Sequence, residues 1–438
     1  MRVVNREERK ERRQRELKQA VIVFAIMICI VLALVLGGIL IVQKLLPQKP
    51  AGGQNTETTE VSTEMPTEQS TQESEQAGGS ETVKVDDEAT IKAKEFVASM
   101  SLEQKVAQMF MITPEALTGY NEVTRAGSTT KSSFEAYPVG GLIYFSQNLL
   151  WAEQTAEMLE KTNGYSVETT GLPIFLGVDE EGGTVSRVAS NMEFGAADVG
   201  DMSEIGATGN AQNAYLVGTS IGEYLTELGF NVNFAPVADV WINTDNDMFS
   251  ARSFGSDSAM VSSMVLEELR GFEEYGLYGV VKHFPGHGAT DADSHEGTAT
   301  TNRTLEEMQA EEFAPFAAAI ENGVDFIMVG HISTPAVTGN DVPSSVSDYM
   351  ITEILRNQMG YDGIVITDAM NMSAITSRYN SAEAAVAAIN AGVDVVLMPE
   401  DFKAAYTGVI DAVNNGTISM ERIDEAVVRI VRVKQQMQ

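Results

Sequence analysis

The sequence predicts an α/β protein: a (β/α)8 barrel, preceded by one N-terminal transmembrane helix and a disordered linker. Three observations carry that expectation. From about Ala89 onward, short apolar runs alternate with longer amphipathic stretches. Eight such runs imply a parallel sheet, and eight strands close a barrel. Ahead of them, Ala20 to Val42 carries no charge and is almost wholly apolar, and residues 47–88 are Thr, Glu, Ser, Gln, Gly and Pro with few aliphatic side chains.

In chain order, residues 1–19 are basic, with Arg9, Lys10, Arg12, Arg13, Arg15 and Lys18 in one cluster. The apolar stretch after it, at about 1.5 Å per residue, is long enough for a hydrocarbon core of about 30 Å. It exceeds a signal-peptide apolar region and lacks an Ala-x-Ala cleavage pattern, so a retained signal anchor is favoured over a cleaved leader. Positive charge stays inside. The expectation is therefore a cytoplasmic tail (1–19), a signal-anchor helix (20–43), a stalk (44–88) and a catalytic domain (89–438) outside a cell membrane crossed once. The stalk cannot bury enough apolar surface to offset its ordering entropy.

The predicted strands are Met109–Thr113, Val139–Phe145, Ile174–Asp179, Asn231–Val237, Gly279–His283, Phe326–His331, Gly363–Asp368 and Val393–Met398. Helix-like stretches between them include Asn213–Leu228, Ser258–Tyr275, Leu305–Asn322 and Ala382–Ala391. Gly229, Gly276, Gly323 and Gly392 follow these as expected helix stops. An open doubly wound sheet is disfavoured, because no Gly-x-Gly-x-x-Gly turn follows the first strand.

The net charge of −33 excludes a nucleic-acid partner, which requires a basic face. The single cysteine, Cys29, excludes a disulfide within the chain and a cysteine metal cluster. No cofactor is implied.

All four histidines lie between 283 and 331. Three fall in one region: Lys282-His283-Phe284-Pro285-Gly286-His287-Gly288, continuing to Asp291, Asp293, Ser294 and His295. That region begins where the fifth strand ends, on the barrel edge where catalytic groups collect. Other polar groups recur at strand ends: Asp179 with Glu180, Glu181 and Arg187 after it, Asp239 followed by Arg252, and Asp368. Asp368 has the chemistry of a carboxylate nucleophile or an electrostatic stabiliser. His295 titrates near neutrality and suits general acid/base work, with Asp293 to orient it. Lys282, Arg187, Arg252 and Asp179 suit hydrogen bonding to several hydroxyls at once. Together these point to a sugar and a glycosidic bond. A His–Asp pair in place of the usual acid carboxyl departs from the two-carboxylate scheme.

The motifs Asp179-Glu180-Glu181-Gly182-Gly183, Arg252-Ser253-Phe254-Gly255, Lys282 to Gly288, Asp293-Ser294-His295 and Thr367-Asp368-Ala369-Met370 resemble glycoside hydrolase family 3, from about residue 92 to the C-terminus. Asp-Ser-His resembles its β-N-acetylhexosaminidase branch, and a single barrel's length of chain is in keeping with that branch. The resemblance implies Asp368 as nucleophile, His295 as acid/base and Asp293 as its partner. It implies sugar binding by Asp179, Arg187, Arg252, Lys282 and His283. Thr184 stands where an Arg is common, and Glu296-Gly297 where apolar residues are usual. The implied activity is retaining hydrolysis of terminal β-linked N-acetylglucosamine from glycans or peptidoglycan fragments. The competing readings are a β-glucosidase or xylosidase, a β-glycoside phosphorylase, a non-catalytic wall-glycan binder, and a metal hydrolase using His283, His287, Asp291, Asp293 and His295.

Overall fold

The computed structural model describes residues 87–291 and 299–437. Its sheet consists of β1 (Phe110–Ile112), β2 (Gly141–Tyr144), β3 (Phe175–Val178), β4 (Val232–Asn233), β5 (Tyr278–Phe284), β6 (Phe326–Val329), β7 (Ile364–Thr367) and β8 (Val396–Leu397). They lie side by side in that order and every neighbouring pair is parallel. Phe110 of β1 pairs with Val396 of β8, and a bridge from Ile366 to Val395 joins the last two strands, so the sheet closes into a barrel.

Each predicted strand contains one of these except the fifth, Gly279–His283, which the observed Tyr278–Phe284 exceeds by a residue at each end; two others are short. The fourth narrows to Val232–Asn233 because Pro236 has no N–H to donate to a ladder; Val237 still bridges to Lys282. The eighth stops at Leu397 because Met398 takes a left-handed backbone, φ 46°. Gly177 sits in the barrel interior: a Cβ there would lie 2.5 Å from Met111 Cε and 2.8 Å from Phe234 Cε2, so those larger side chains fill its place.

The helices Gln212–Leu228, Ser258–Glu273 and Ser381–Ala391 match the amphipathic stretches within a residue or two. Gly229 and Gly392 close the first and third with φ of 101° and 113°, a conformation that glycine adopts without strain. The predicted helix 305–322 is instead two, Leu305–Ala310 and Ala314–Glu321. Pro315 sits in the first turn of the second, where its missing N–H costs nothing, and it cannot continue the first.

The expectation of a membrane-spanning helix, and of a once-crossing location with the barrel outside, is corrected. Among the described residues no helix is long and apolar enough to cross a membrane. The stretch 20–43 lies outside the described residues, as do the tail 1–19 and nearly all of the stalk.

The last helix, Met420–Gln436, is fastened to the barrel by buried charge. Arg356, Arg422 and Arg429 converge on the buried carboxylate of Asp394 at 2.5, 3.0 and 3.2 Å. Lys434 of the same helix is wholly buried, donates to Gln108 Oε1 at 2.7 Å and lies 4.9 Å from the Phe175 ring centroid. Burial pushes its pKa down from 10.5 to about 7. Between those values the unfolded chain holds a proton that the folded chain lacks, so stability contributed through Lys434 rises with pH from about 7 to about 10. Lys434→Met is therefore expected to be more stable than the parent at pH 6, with the difference shrinking by pH 10. Denaturant unfolding of both proteins across that range checks it; a pH-independent difference contradicts it.

Candidate active site

The C-terminal ends of the strands carry the polar groups, because a strand's last residue points its neighbours into the loops above the packed interior. After β3, Asp179, Glu180 and Glu181 divide their work. Glu181 is buried and takes Arg252 in a two-pronged pair, from Nε at 2.8 Å and Nη2 at 2.7 Å. It also lies 2.6 Å from Lys282 Nζ, which donates to Asp179 Oδ1 at 3.0 Å. Burial works to raise the Glu181 pKa, but Arg252 and Lys282 outweigh it and hold the group well below the ordinary range. Burial works to lower that of Lys282; Glu181 and Asp179 more than offset it, so the amine stays charged. Two carboxylates and two cations thus form a neutral frame, with Asp179 at its more accessible edge.

Glu180 does something different. Its carboxylate accepts from Ser186 Oγ at 2.5 Å, from the N–H groups of Arg187, Val188 and Ala189 at 2.6, 2.8 and 2.8 Å, and from Tyr224 Oη at 2.9 Å. It thereby fixes the loop that presents Arg187, whose guanidinium carbon lies 5.9 Å from the Phe145 ring centroid. Glu180→Gln replaces one oxygen by an amide that repels these donors. The expected result is a KM at least about tenfold higher and a stability loss of about 2–3 kcal/mol. Steady-state kinetics and thermal unfolding check this; an unchanged KM contradicts the positioning role.

Beyond β4, Asp239 is buried and takes His283 Nδ1 at 2.7 Å and the His287 N–H at 2.6 Å. A carboxylate only accepts, so Nδ1 of His283 carries the proton. Burial raises the Asp239 pKa, and the charge and hydrogen bond of His283 outweigh it. His287 faces Thr290 Oγ1 with Nδ1 at 2.8 Å, and burial above all lowers its pKa to about 4, so it is neutral at neutral pH. The two imidazoles are thus engaged by different partners. Among the described residues, no group of three or more His, Cys, Asp or Glu is placed to hold a metal ion.

Asp368 follows β7. Its N–H donates to the Val329 carbonyl at 2.9 Å, and its Oδ1 accepts from the Ala369 N–H at 2.7 Å. Burial works to raise its pKa, but His331 first, then His283, the Ala369 N–H and Lys282 hold it below the ordinary value. It is therefore an ionised carboxylate at neutral pH. His331 braces this turn: Nε2 lies 2.9 Å from the Ala369 carbonyl and Nδ1 lies 2.7 Å from Ser345 Oγ.

The structure thus brings Asp179, Arg252, Lys282, His283 and Asp368 to one rim, with Arg187 on the adjoining loop. Asp293 and His295 lie in 292–298, outside the described residues. Sequence reasoning assigned no role to Glu180, Glu181, Asp239 or His331. Their signal was present as acidic and imidazole residues at strand ends. Glu268, buried on the helix Ser258–Glu273, is also new; burial first and the Glu181 charge second push its pKa well above the usual carboxyl value. A cavity of about 1200 Å³, lined by Leu176, Asn231, Tyr278 and Asp325 among others, opens at the opposite, N-terminal end of the strands and touches none of these groups.

Comparison with known proteins adds the family. Residues 101–433 match the glycosyl hydrolase family 3 N-terminal domain. The chain is 33% identical over 325 residues to a "Beta-hexosaminidase A" of Pseudoalteromonas piscicida, covering 68% of this chain and 53% of that protein. It is 32% identical over 271 residues to "Beta-hexosaminidase LpqI" of Mycobacterium tuberculosis, covering 60% of this chain and 68% of that one. A solved family 3 β-N-acetylglucosaminidase from a Paenibacillus species superimposes with a TM-score of 0.72 at 37% identity, over 77% of this chain and 63% of that one. The chain thus spans little more than half of the Pseudoalteromonas relative.

Proposed function

The chain belongs to glycosyl hydrolase family 3, and from that premise we propose that it is a retaining β-N-acetylhexosaminidase. It removes terminal, non-reducing β-linked N-acetylglucosamine from glycans or peptidoglycan fragments. One observation carries the reading: an ionised Asp368 stands at the same rim as a neutral frame of Asp179, Glu181, Arg252 and Lys282. A free carboxylate is what attack on an anomeric carbon needs, and paired, fixed donors and acceptors are what several sugar hydroxyls need. The similarity to proteins named β-hexosaminidase and β-N-acetylglucosaminidase supports the choice of sugar.

In the proposed mechanism Asp368 attacks the anomeric carbon and the glycosidic oxygen leaves with a proton from His295, which Asp293 orients. A glycosyl ester forms. Water, deprotonated by His295, then displaces Asp368, so configuration is retained. Asp179, Arg187, Arg252, Lys282 and His283 hold the sugar. The test is release of p-nitrophenol from its β-N-acetylglucosaminide, β-glucoside and β-xyloside, with and without phosphate. Preference for the first, independent of phosphate, is expected. A faster β-glucoside, or a phosphate requirement with a sugar phosphate as product, contradicts it.

A further inference from the structure

Of the ten large apolar side chains exposed on the described surface, five are scattered over the helices, as for Ile91, Val167 and Leu216, and Tyr275 follows one. The other four differ. Tyr120 lies on the loop after β1, Leu150 and Trp151 after β2, and Met192 after β3, all at the end of the barrel that carries the site. Met192 is 94% exposed and Trp151 44%. Scattered single apolar residues need no explanation; grouped ones beside a site do.

These loops are tied into one frame. Asn148 Nδ2 donates to the Val123 carbonyl at 2.9 Å, and Gln154 Nε2 to the Thr124 carbonyl at 2.6 Å, joining the first two loops. Asn191 Nδ2 donates to the Leu149 carbonyl at 3.1 Å, joining the second and third. Leu150 N–H donates to Gln154 Oε1 at 2.9 Å, and the Trp151 carbonyl accepts from Thr155 N–H at 3.0 Å, so the backbone is fixed on both sides of the indole. The frame also runs into the site, since Phe145 of the second loop packs against the Arg187 guanidinium of the third. A hydrated tryptophan on a fixed backbone loses little conformational freedom when something covers it.

We propose that Trp151, Leu150 and Met192 form a platform for the pyranose ring on the leaving-group side of the scissile bond, making a β-linked oligosaccharide the preferred substrate. This deepens the proposed function and rests on it. The sugar cleaved must reach Asp368 among buried groups, so the remainder of its chain is left at the rim. A pyranose presents an apolar C–H face that suits an indole, and its hydroxyls stay in water. The loops after β1 to β3 are the apolar sector that adjoins Arg187.

The test compares kcat/KM for methyl β-N-acetylglucosaminide and for the β-1,4-linked trisaccharide of N-acetylglucosamine in the full chain. Trp151→Ala is expected to lower the trisaccharide value about tenfold, through KM, and to leave the methyl glycoside within about twofold. Trp151→Phe should keep most of the trisaccharide rate. The chain has two tryptophans, so trisaccharide binding to the Asp368→Asn protein should shift fluorescence, and the shift should be lost when Trp151→Phe is added. Equal losses on both substrates, or no loss on either, overturn the platform. A parent protein that cleaves neither substrate overturns the hexosaminidase reading instead, and the fluorescence titration then tests the platform by itself.

Discussion

Asp368→Ala is expected to lower kcat by about four to six orders of magnitude on every glycoside, whatever its leaving group. Asp368 supplies the bond that replaces the glycosidic one, and among the described residues the other carboxylates of this rim are engaged, Asp179 by Lys282. Glu181 is held by Arg252 and Lys282, Glu180 by loop N–H groups, and Asp239 by His283 and His287. The loss should be chemical rather than structural, since among the described residues the Asp368 carboxylate accepts only the N–H of its own neighbour, Ala369. Unfolding midpoint and sugar affinity should therefore change little. Because the neighbouring histidines and Lys282 lower the Asp368 pKa, the parent's acid limb should fall below the usual carboxylate range. A variant that keeps a few per cent of activity on an activated aryl glycoside contradicts the nucleophile assignment.

His295→Ala is expected to show the opposite dependence on leaving group. A sugar leaving group needs a proton as it departs, so hydrolysis of an oligosaccharide should fall by about 10²–10⁴-fold. Dinitrophenolate needs little help, so formation of the glycosyl ester from its glycoside should be largely spared. Water then lacks a base, the ester accumulates, and added azide should restore turnover as a nucleophile that needs no deprotonation. Asp293→Ala should give a milder form with a shifted pH profile. His287 is a poor substitute for His295, because burial above all keeps it neutral and its Nδ1 is engaged by Thr290. Equal losses on good and poor leaving groups, without azide rescue, would assign His295 to sugar binding instead.

Much of this was legible in the sequence, for physical reasons. A strand buried on both faces must be a continuous apolar run, which is why Ile364-Val365-Ile366-Thr367 announced β7 and put Asp368 at its end. Helix stops were legible because Gly229 and Gly392 take backbone angles that other residues resist. The division of labour between Glu180 and Glu181 was not legible. Adjacent identical carboxylates differ only in what they face: loop N–H groups seven to nine residues on for Glu180, whose turn back the sequence pattern does not show, and two cations from distant sequence for Glu181. Lys434 was hidden for the same reason: in a charged C-terminal helix it reads as a solvated cation, whereas the fold turns it against Phe175. Pro315 gave a local sign of the break in the predicted helix 305–322, and the amphipathic period overrode it.

The account stands on Asp368 as the nucleophile, and a slow-turnover donor tests it most directly. 5-Fluoro-N-acetylglucosaminyl fluoride loses fluoride from the anomeric carbon and should leave its sugar on the enzyme, because the ring fluorine slows the second displacement. Mass spectrometry of the digested protein should then find a single added fluorosugar, on the peptide containing Asp368, and none in Asp368→Ala. A sugar attached to another carboxylate, or turnover with inverted configuration and no adduct, would contradict it.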